Sequence, residues 1–408
     1  MVINFPLILD GATGTELQKK GLGAGDCAEA WILEHPEIMQ DIQREYIRAG
    51  SQVIYAPTFG ANRVKLEAHG IFHAVDDYNR RLVALSREAA GEQALVAGDL
   101  APTGHFPYPL GDLGFEDLVD IYTEQAAALE SAGVDLFVVE TMMTLAEARA
   151  AVLAVRSVSR KPVFVTFTCD ENGRTLTGSD IIAALQIMQG MGIDAFGLNC
   201  SVGPEEMVPQ IRRLYEHACV PLIAKPNAGL PEMQGDRTVY SCSPEQFAAG
   251  LRDMAGAGVR IFGGCCGTTA GHIATLKAGT ASLQPAPIAP QHTGLLPAAT
   301  EKELFYLDPA ADFGEVITCS EDLEDDLLDA ADEDAPVIAL AIQDTADLES
   351  FAECQYMIRK PLCLICDSVS LLESALRLYQ GRALYRGPLT EAELAPLVRK
   401  YGLLIWNP

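Results

Sequence analysis

No apolar run in the 408 residues reaches the ~18 residues needed to cross a membrane. The opening residues, MVINFPLILDG, have no basic flank and no signal-peptide cleavage pattern, so they read as a first strand. Positive charge is scarce. Twenty-nine Lys and Arg stand against 56 Asp and Glu, a formal net charge of −27. That balance disfavours nucleic acid and anionic membrane surfaces as partners, since both attract positive charge. No G-x-G-x-x-G turn follows the first strand, so the usual signal for an open dinucleotide-binding sheet is missing. Eleven cysteines without a secretory signal point to a reducing, cytoplasmic compartment. There, clustered thiols are more often ligands or nucleophiles than disulfides.

What is present is a repeated alternation of strand and helix. Near-continuous apolar runs lie at 7–11, 53–57, 94–100, 136–141, 163–168, 195–200, 221–227 and 259–266. Such runs suit parallel strands buried on both faces. Helix-period segments separate them, with start signals at Thr144/Glu147 and at Ser243/Gln246 followed by Pro244. Eight units in residues 1–280 predict a (β/α)8 TIM barrel. Residues 281–300 hold four prolines among small polar residues and read as a linker. Residues 301–408 carry 22 acidic and 8 basic side chains and read as a small acidic α/β domain of unknown role. Its segment 321–334 is nine acids in fourteen, yet its leucines recur at helical spacing, which predicts a solvated helix face. Cys363 and Cys366 spell C-x-x-C, but three apart in a strand they face opposite ways.

Barrel enzymes build their sites at the C-terminal ends of strands. Reading those ends gives Asp10, Thr58, Asp99, Glu140, Thr168, Cys200, Asn227, Cys265 and Cys266. The stretch 259–268, VRIFGGCCGT, stands out among them. Neighbouring strand side chains point to opposite faces, so two adjacent thiols meet only where the strand ends or bulges. Gly263, Gly264 and Gly267 permit that bend. Cys200 ends a strand only two places away around the barrel, so all three thiols can converge. Three thiols suit zinc with a fourth position left open. The plainer alternative is two small buried residues. His105, in the loop after the third strand, is a further candidate ligand.

The motifs LDGATGTEL (9–17), TFGANRVKL (58–66), GDLAPTG (98–104), VVETMMTLAEA (138–148), GLNCSVGP (197–204), KPNAGLP (225–231) and GGCCGT (263–268) resemble the homocysteine S-methyltransferase family. TFGANRVKL looks most like the N-terminal homocysteine-binding barrel of cobalamin-dependent methionine synthase. The resemblance implies zinc on Cys200, Cys265 and Cys266. It implies that Asp10, Gly11, Ala12 and Thr13 meet the amino-acid end of homocysteine and that Glu140 faces its ammonium. On residue chemistry alone, Glu140 is equally a loop start and Asp10 equally a turn residue. The implied reaction is methyl transfer to homocysteine, giving methionine. The donor is expected to be methylcobalamin on a corrinoid protein supplied in trans, since 108 residues hold neither a full folate barrel nor a cobalamin domain. Alternatives are S-methylmethionine or S-adenosylmethionine as donor, another small thiol as acceptor, or a non-catalytic zinc- or homocysteine-binding barrel.

Overall fold

The computed structural model describes residues 4–234, 237–280, 283, 287–288, 294–312 and 314–406. The chain forms two compact units, Met1–Gly173 with Asp194–Ala289, and Arg174–Ile193 with Pro290–Pro408.

The first unit is built on eight parallel strands. They are β1 (Leu7–Ile8), β2 (Val53–Tyr55), β3 (Leu95–Leu100), β4 (Leu136–Met142), β5 (Val163–Phe167), β6 (Ala195–Asn199) and β7 (Leu222–Lys225). A hairpin of β8 (Pro231–Gln234) and β9 (Arg237–Tyr240) intervenes before the last, β10 (Val259–Phe262). The sheet order is β1-β10-β7-β6-β5-β4-β3-β2. The end strands β1 and β2 approach each other, with the Gln52 N–H donating to the Ile8 carbonyl at 2.7 Å. The Ile8 N–H donates to Gln52 Oε1 at 3.1 Å. The expected (β/α)8 TIM barrel is therefore present, and all eight expected strands fall where the apolar runs placed them.

Alternation explains the core. Leu7, Leu9, Val53, Tyr55, Ala97, Leu136, Val138, Phe164, Ala195, Ile223 and Ile261 form one interior cluster. Their strand neighbours, such as Ile8, Ile54 and Phe137, are buried on the opposite face. Each large aliphatic or aromatic side chain so buried contributes roughly 1.5–3 kcal/mol. Helices begin and end where local chemistry dictates. Pro36–Ala49 starts on proline and ends at Gly50, whose φ of 113° closes it. Ser243 and Gln246 form a reciprocal capping box on Pro244–Gly256. Thr144 accepts the Glu147 N–H.

The second unit holds a five-stranded parallel sheet in simple sequence order. Its members are β13 (Val316–Thr318), β14 (Ile338–Ala341), β15 (Leu362–Ile365), β16 (Leu384–Tyr385) and β17 (Leu404–Ile405). An antiparallel hairpin, β11 (Leu296–Ala299) and β12 (Leu304–Leu307), precedes it and shares its core. Ala298 and Leu307 of the hairpin pack with Cys363, Leu384 and the fully buried Trp406. β11 occupies part of the stretch whose prolines read as a linker. The acidic segment contains the helix Leu323–Asp332, which buries Leu323 and Leu327 and leaves most of its acids exposed. Cys363 lies in the core, whereas Cys366 bonds the Ser368 carbonyl.

Candidate metal centre and its cavity

β10 stops at Phe262, and the chain then turns through Gly263 and Gly264. The Gly264 N–H donates to the Asp10 carbonyl at 2.9 Å, and the Cys265 N–H to the Pro226 carbonyl at 2.8 Å. The Ala228 N–H donates to the Cys266 carbonyl at 2.9 Å. The cysteine pair is thus laced to the loops of both flanking strands. A side chain at Gly263 would stand 2.9 Å from Lys225 Cγ and 3.1 Å from the Asp10 carbonyl oxygen. Gly267 has φ +80°, and a Cβ there would meet Tyr240 at 2.4 Å. These glycines keep the turn close to its neighbours.

Cys200 arrives from β6 with φ 61°, and Ser201 follows with φ 63°. Left-handed backbone at a non-glycine residue costs about 1–2 kcal/mol each. At this left-handed turn the Cys200 sulfur comes close to the pair. The Cys200, Cys265 and Cys266 sulfurs all lie within 4.8 Å of one another. Tetrahedral zinc with bonds of ~2.3 Å needs sulfur separations of roughly 3.8 Å, so this set fits zinc with little movement. Among the described residues this is the one such cluster. His105 is exposed and stands outside it.

Hydrogen bonds already polarise the cluster. Cys265 and Cys266 bond to Cys200, which holds the Cys200 thiol far below its ordinary range and pushes theirs up. Asn227 and the Ser201 N–H also bond to the Cys200 sulfur. Tyr240, on β9, bonds to Cys266. Asn199 supports from beneath. Its amide donates to Thr141 Oγ1 at 2.7 Å and accepts the Thr141 N–H at 2.9 Å. The same amide nitrogen lies 3.8 Å from the Cys265 sulfur. Asn199 therefore clamps Thr141, which sits at φ 59°, and braces a ligand at once.

A cavity of about 370 Å³ opens against these sulfurs. Asp10, Gly11, Ala12, Thr13 and Glu140 line it together with Cys200, Cys265 and Cys266. Thr58 and Thr168 do not. Thr58 instead donates to the Asp99 carbonyl at 2.9 Å, and Thr168 bonds Ser201. The Ala12 N–H is taken by Thr268 Oγ1 at 3.0 Å.

Sequence reasoning missed Lys225. Its side chain is 4% exposed, and Nζ stands 3.5 Å from Asp10 and 3.3 Å from Glu140. It also lies 3.6 Å from the centroid of the Tyr55 ring. Asp10 accepts the Tyr55 N–H at 2.7 Å as well. Burial raises the Asp10 carboxyl pKa, with Lys225 opposing. Burial likewise raises Glu140, again opposed by Lys225. The available signal was a charged residue closing an otherwise apolar strand, PLIAK.

Residues 7–279 match the family model described as homocysteine S-methyltransferase. The methionine synthase of Mycobacterium tuberculosis is 34% identical over 296 residues, which is 68% of this chain and 25% of that protein. The methionine synthase of Mycobacterium leprae is 34% identical over 293 residues, 67% of this chain and 24% of that protein. The chain thus spans about a quarter of the length of these curated relatives. Among solved structures, the metallated form of the Escherichia coli homocysteine methyltransferase MmuM is 26% identical with a TM-score of 0.57. The match covers 67% of this chain and 95% of that one.

Proposed function

The chain belongs to the homocysteine S-methyltransferase family, and on that premise we propose that it moves a methyl group onto the thiol of homocysteine to give methionine. The observation that carries this reading is the convergence of three sulfurs on the wall of a cavity that Asp10 and Glu140 also line. A free thiol titrates near 8.5 and is mostly protonated at neutral pH, while the nucleophile is the thiolate. Zinc held by Cys200, Cys265 and Cys266 would supply the Lewis acidity that removes this proton.

The chain's own residues do the rest. Asp10 and Glu140, fixed by Lys225, present negative charge to the amino-acid end of the substrate. Gly11, Ala12 and Thr13 would shape the pocket around its carboxylate. Asn199, Asn227 and Tyr240 orient the three sulfurs. The cavity wall is mainly apolar, which limits water around the reacting sulfur.

The donor is methylcobalamin on a corrinoid protein in this reading. Support comes from the TFGANRVKL motif and from exposed apolar side chains on loops after barrel strands, namely Phe59, Phe106, Tyr108 and Leu230. An apolar rim suits a large macrocycle better than a small sulfonium. The test is methionine formation by zinc-loaded protein given homocysteine and either methylcobalamin or S-methylmethionine. Turnover with methylcobalamin is expected. Turnover with S-methylmethionine alone would overturn the donor assignment.

A further inference from the structure

One buried acid on the cavity wall has a side-chain oxygen with no hydrogen-bond partner among the described residues. Asp99, on β3, is 3% exposed and lines the same cavity as the three cysteines. Its backbone is fixed on both sides by Thr58. The Asp99 N–H donates to Thr58 Oγ1 at 3.1 Å, and the Asp99 carbonyl accepts from that hydroxyl at 2.9 Å. Among the described residues, its side-chain Oδ1 finds no hydrogen-bond partner. A buried carboxylate oxygen without a donor is unfavourable, so a native site that keeps one has reserved it for something.

The neighbouring acids do not share this deficit. Lys225 has three N–H donors and three partners, namely Asp10, Glu140 and the face of Tyr55. None of these three contacts is to Asp99, which Lys225 and Lys65 favour only through longer-range charge. The cavity is lined by four carboxyl groups, Asp10, Glu29, Asp99 and Glu140, against the one ammonium of Lys225, and Glu29 already accepts the Gly60 N–H at 2.6 Å. Burial and the charge of Glu140 push the Asp99 carboxyl well above the usual carboxylate range. One more cation, entering from the cavity, would satisfy both Asp99 and the side of Glu140 turned away from Lys225.

We propose that Asp99 is a substrate-binding residue that accepts a hydrogen bond from the α-ammonium group of an amino-acid thiol, shared with Glu140. Asp99 thereby restricts the site to thiols that carry an ammonium group. This assignment rests on reading the cavity as the methyl-acceptor site.

The test is calorimetric titration of zinc-loaded protein with L-homocysteine and with 4-mercaptobutanoate, which lacks only the amino group. Wild-type protein is expected to bind homocysteine at least about tenfold more tightly, the size of one hydrogen bond to a charged group. Asp99→Asn is expected to weaken homocysteine by about that factor and to leave 4-mercaptobutanoate unchanged, with zinc content retained. Asp99→Ser, smaller and uncharged, is expected to show the same selective loss. Should wild-type protein bind homocysteine while both variants match it, or weaken both thiols equally, the assignment falls alone. Wild-type protein that binds neither thiol overturns the assignment together with the methyl-acceptor reading.

Discussion

Lys225 shows how much of this site is electrostatic bookkeeping at single residues. It is an almost fully buried ammonium held by two carboxylates. Removing one member of a buried ionic set leaves the others uncompensated, typically a loss of about 3–5 kcal/mol. Lys225→Met, close in volume, is therefore expected to lower the thermal midpoint and to weaken homocysteine binding, by differential scanning calorimetry and titration. An unchanged midpoint would mean the ion set carries no net weight. Asp99 has the opposite character. In an unfolded chain it titrates near 3.9, and in the fold its pKa is raised. The folded state thus binds this proton more tightly than the unfolded one. The carboxylate destabilises the fold above its folded pKa, and that penalty disappears as pH falls through the folded value toward the unfolded one. Ligand-free Asp99→Asn is expected to melt above the parent at alkaline pH, with the margin shrinking as pH falls through the raised folded pKa toward the unfolded value. A margin independent of pH would contradict this. The Asn199 clamp was not legible in the sequence, and Lys225 showed only as a charge closing an apolar strand, without its partners. Lys225 meets partners 215 and 85 positions away, and no local pattern encodes such pairings.

Among elements, the barrel strands were the most legible part of the chain. Strands covered on both faces must be apolar throughout, so their composition alone marks them. Their C-terminal ends then named the three sulfurs, because a barrel collects side chains there whatever their spacing along the chain. The β8–β9 hairpin was not foreseen. Its strands are short and carry exposed residues such as Met233, so no apolar run announces it. Yet it delivers Tyr240 to Cys266 and packs on Gly267. Gly267→Ala would place a methyl group against Tyr240 and force a residue with φ +80° into strain. The expected outcome is zinc below one equivalent per chain by elemental analysis, because the displaced turn carries Cys266. Full zinc occupancy in that variant would show that the hairpin yields and the turn does not.

The whole molecule combines a barrel with a second compact unit of different character. The tail was expected as a small acidic α/β domain, and four of its five parallel strands, β14 to β17, are buried or half-buried as such a core requires. The fifth, β13, is three residues long, and two of them are exposed. The hairpin β11–β12 was hidden by its neighbouring prolines, since Pro297 itself sits within β11 on a two-stranded sheet. Membership of Arg174–Ile193 in the second unit was also invisible, because strand and helix alternate there as in any barrel segment. Its helix Ile181–Gly190 packs on β11 and on the helix Glu391–Tyr401. Among the described residues no helix is long and apolar enough to cross a membrane.

Every functional statement about the barrel depends on Cys200, Cys265 and Cys266 holding one ion. X-ray absorption at the zinc edge of the purified protein addresses this directly. The account predicts one zinc per chain with three protein sulfurs at about 2.3 Å. Protein that takes up no zinc, or zinc surrounded by nitrogen and oxygen with fewer than three sulfurs, would contradict it.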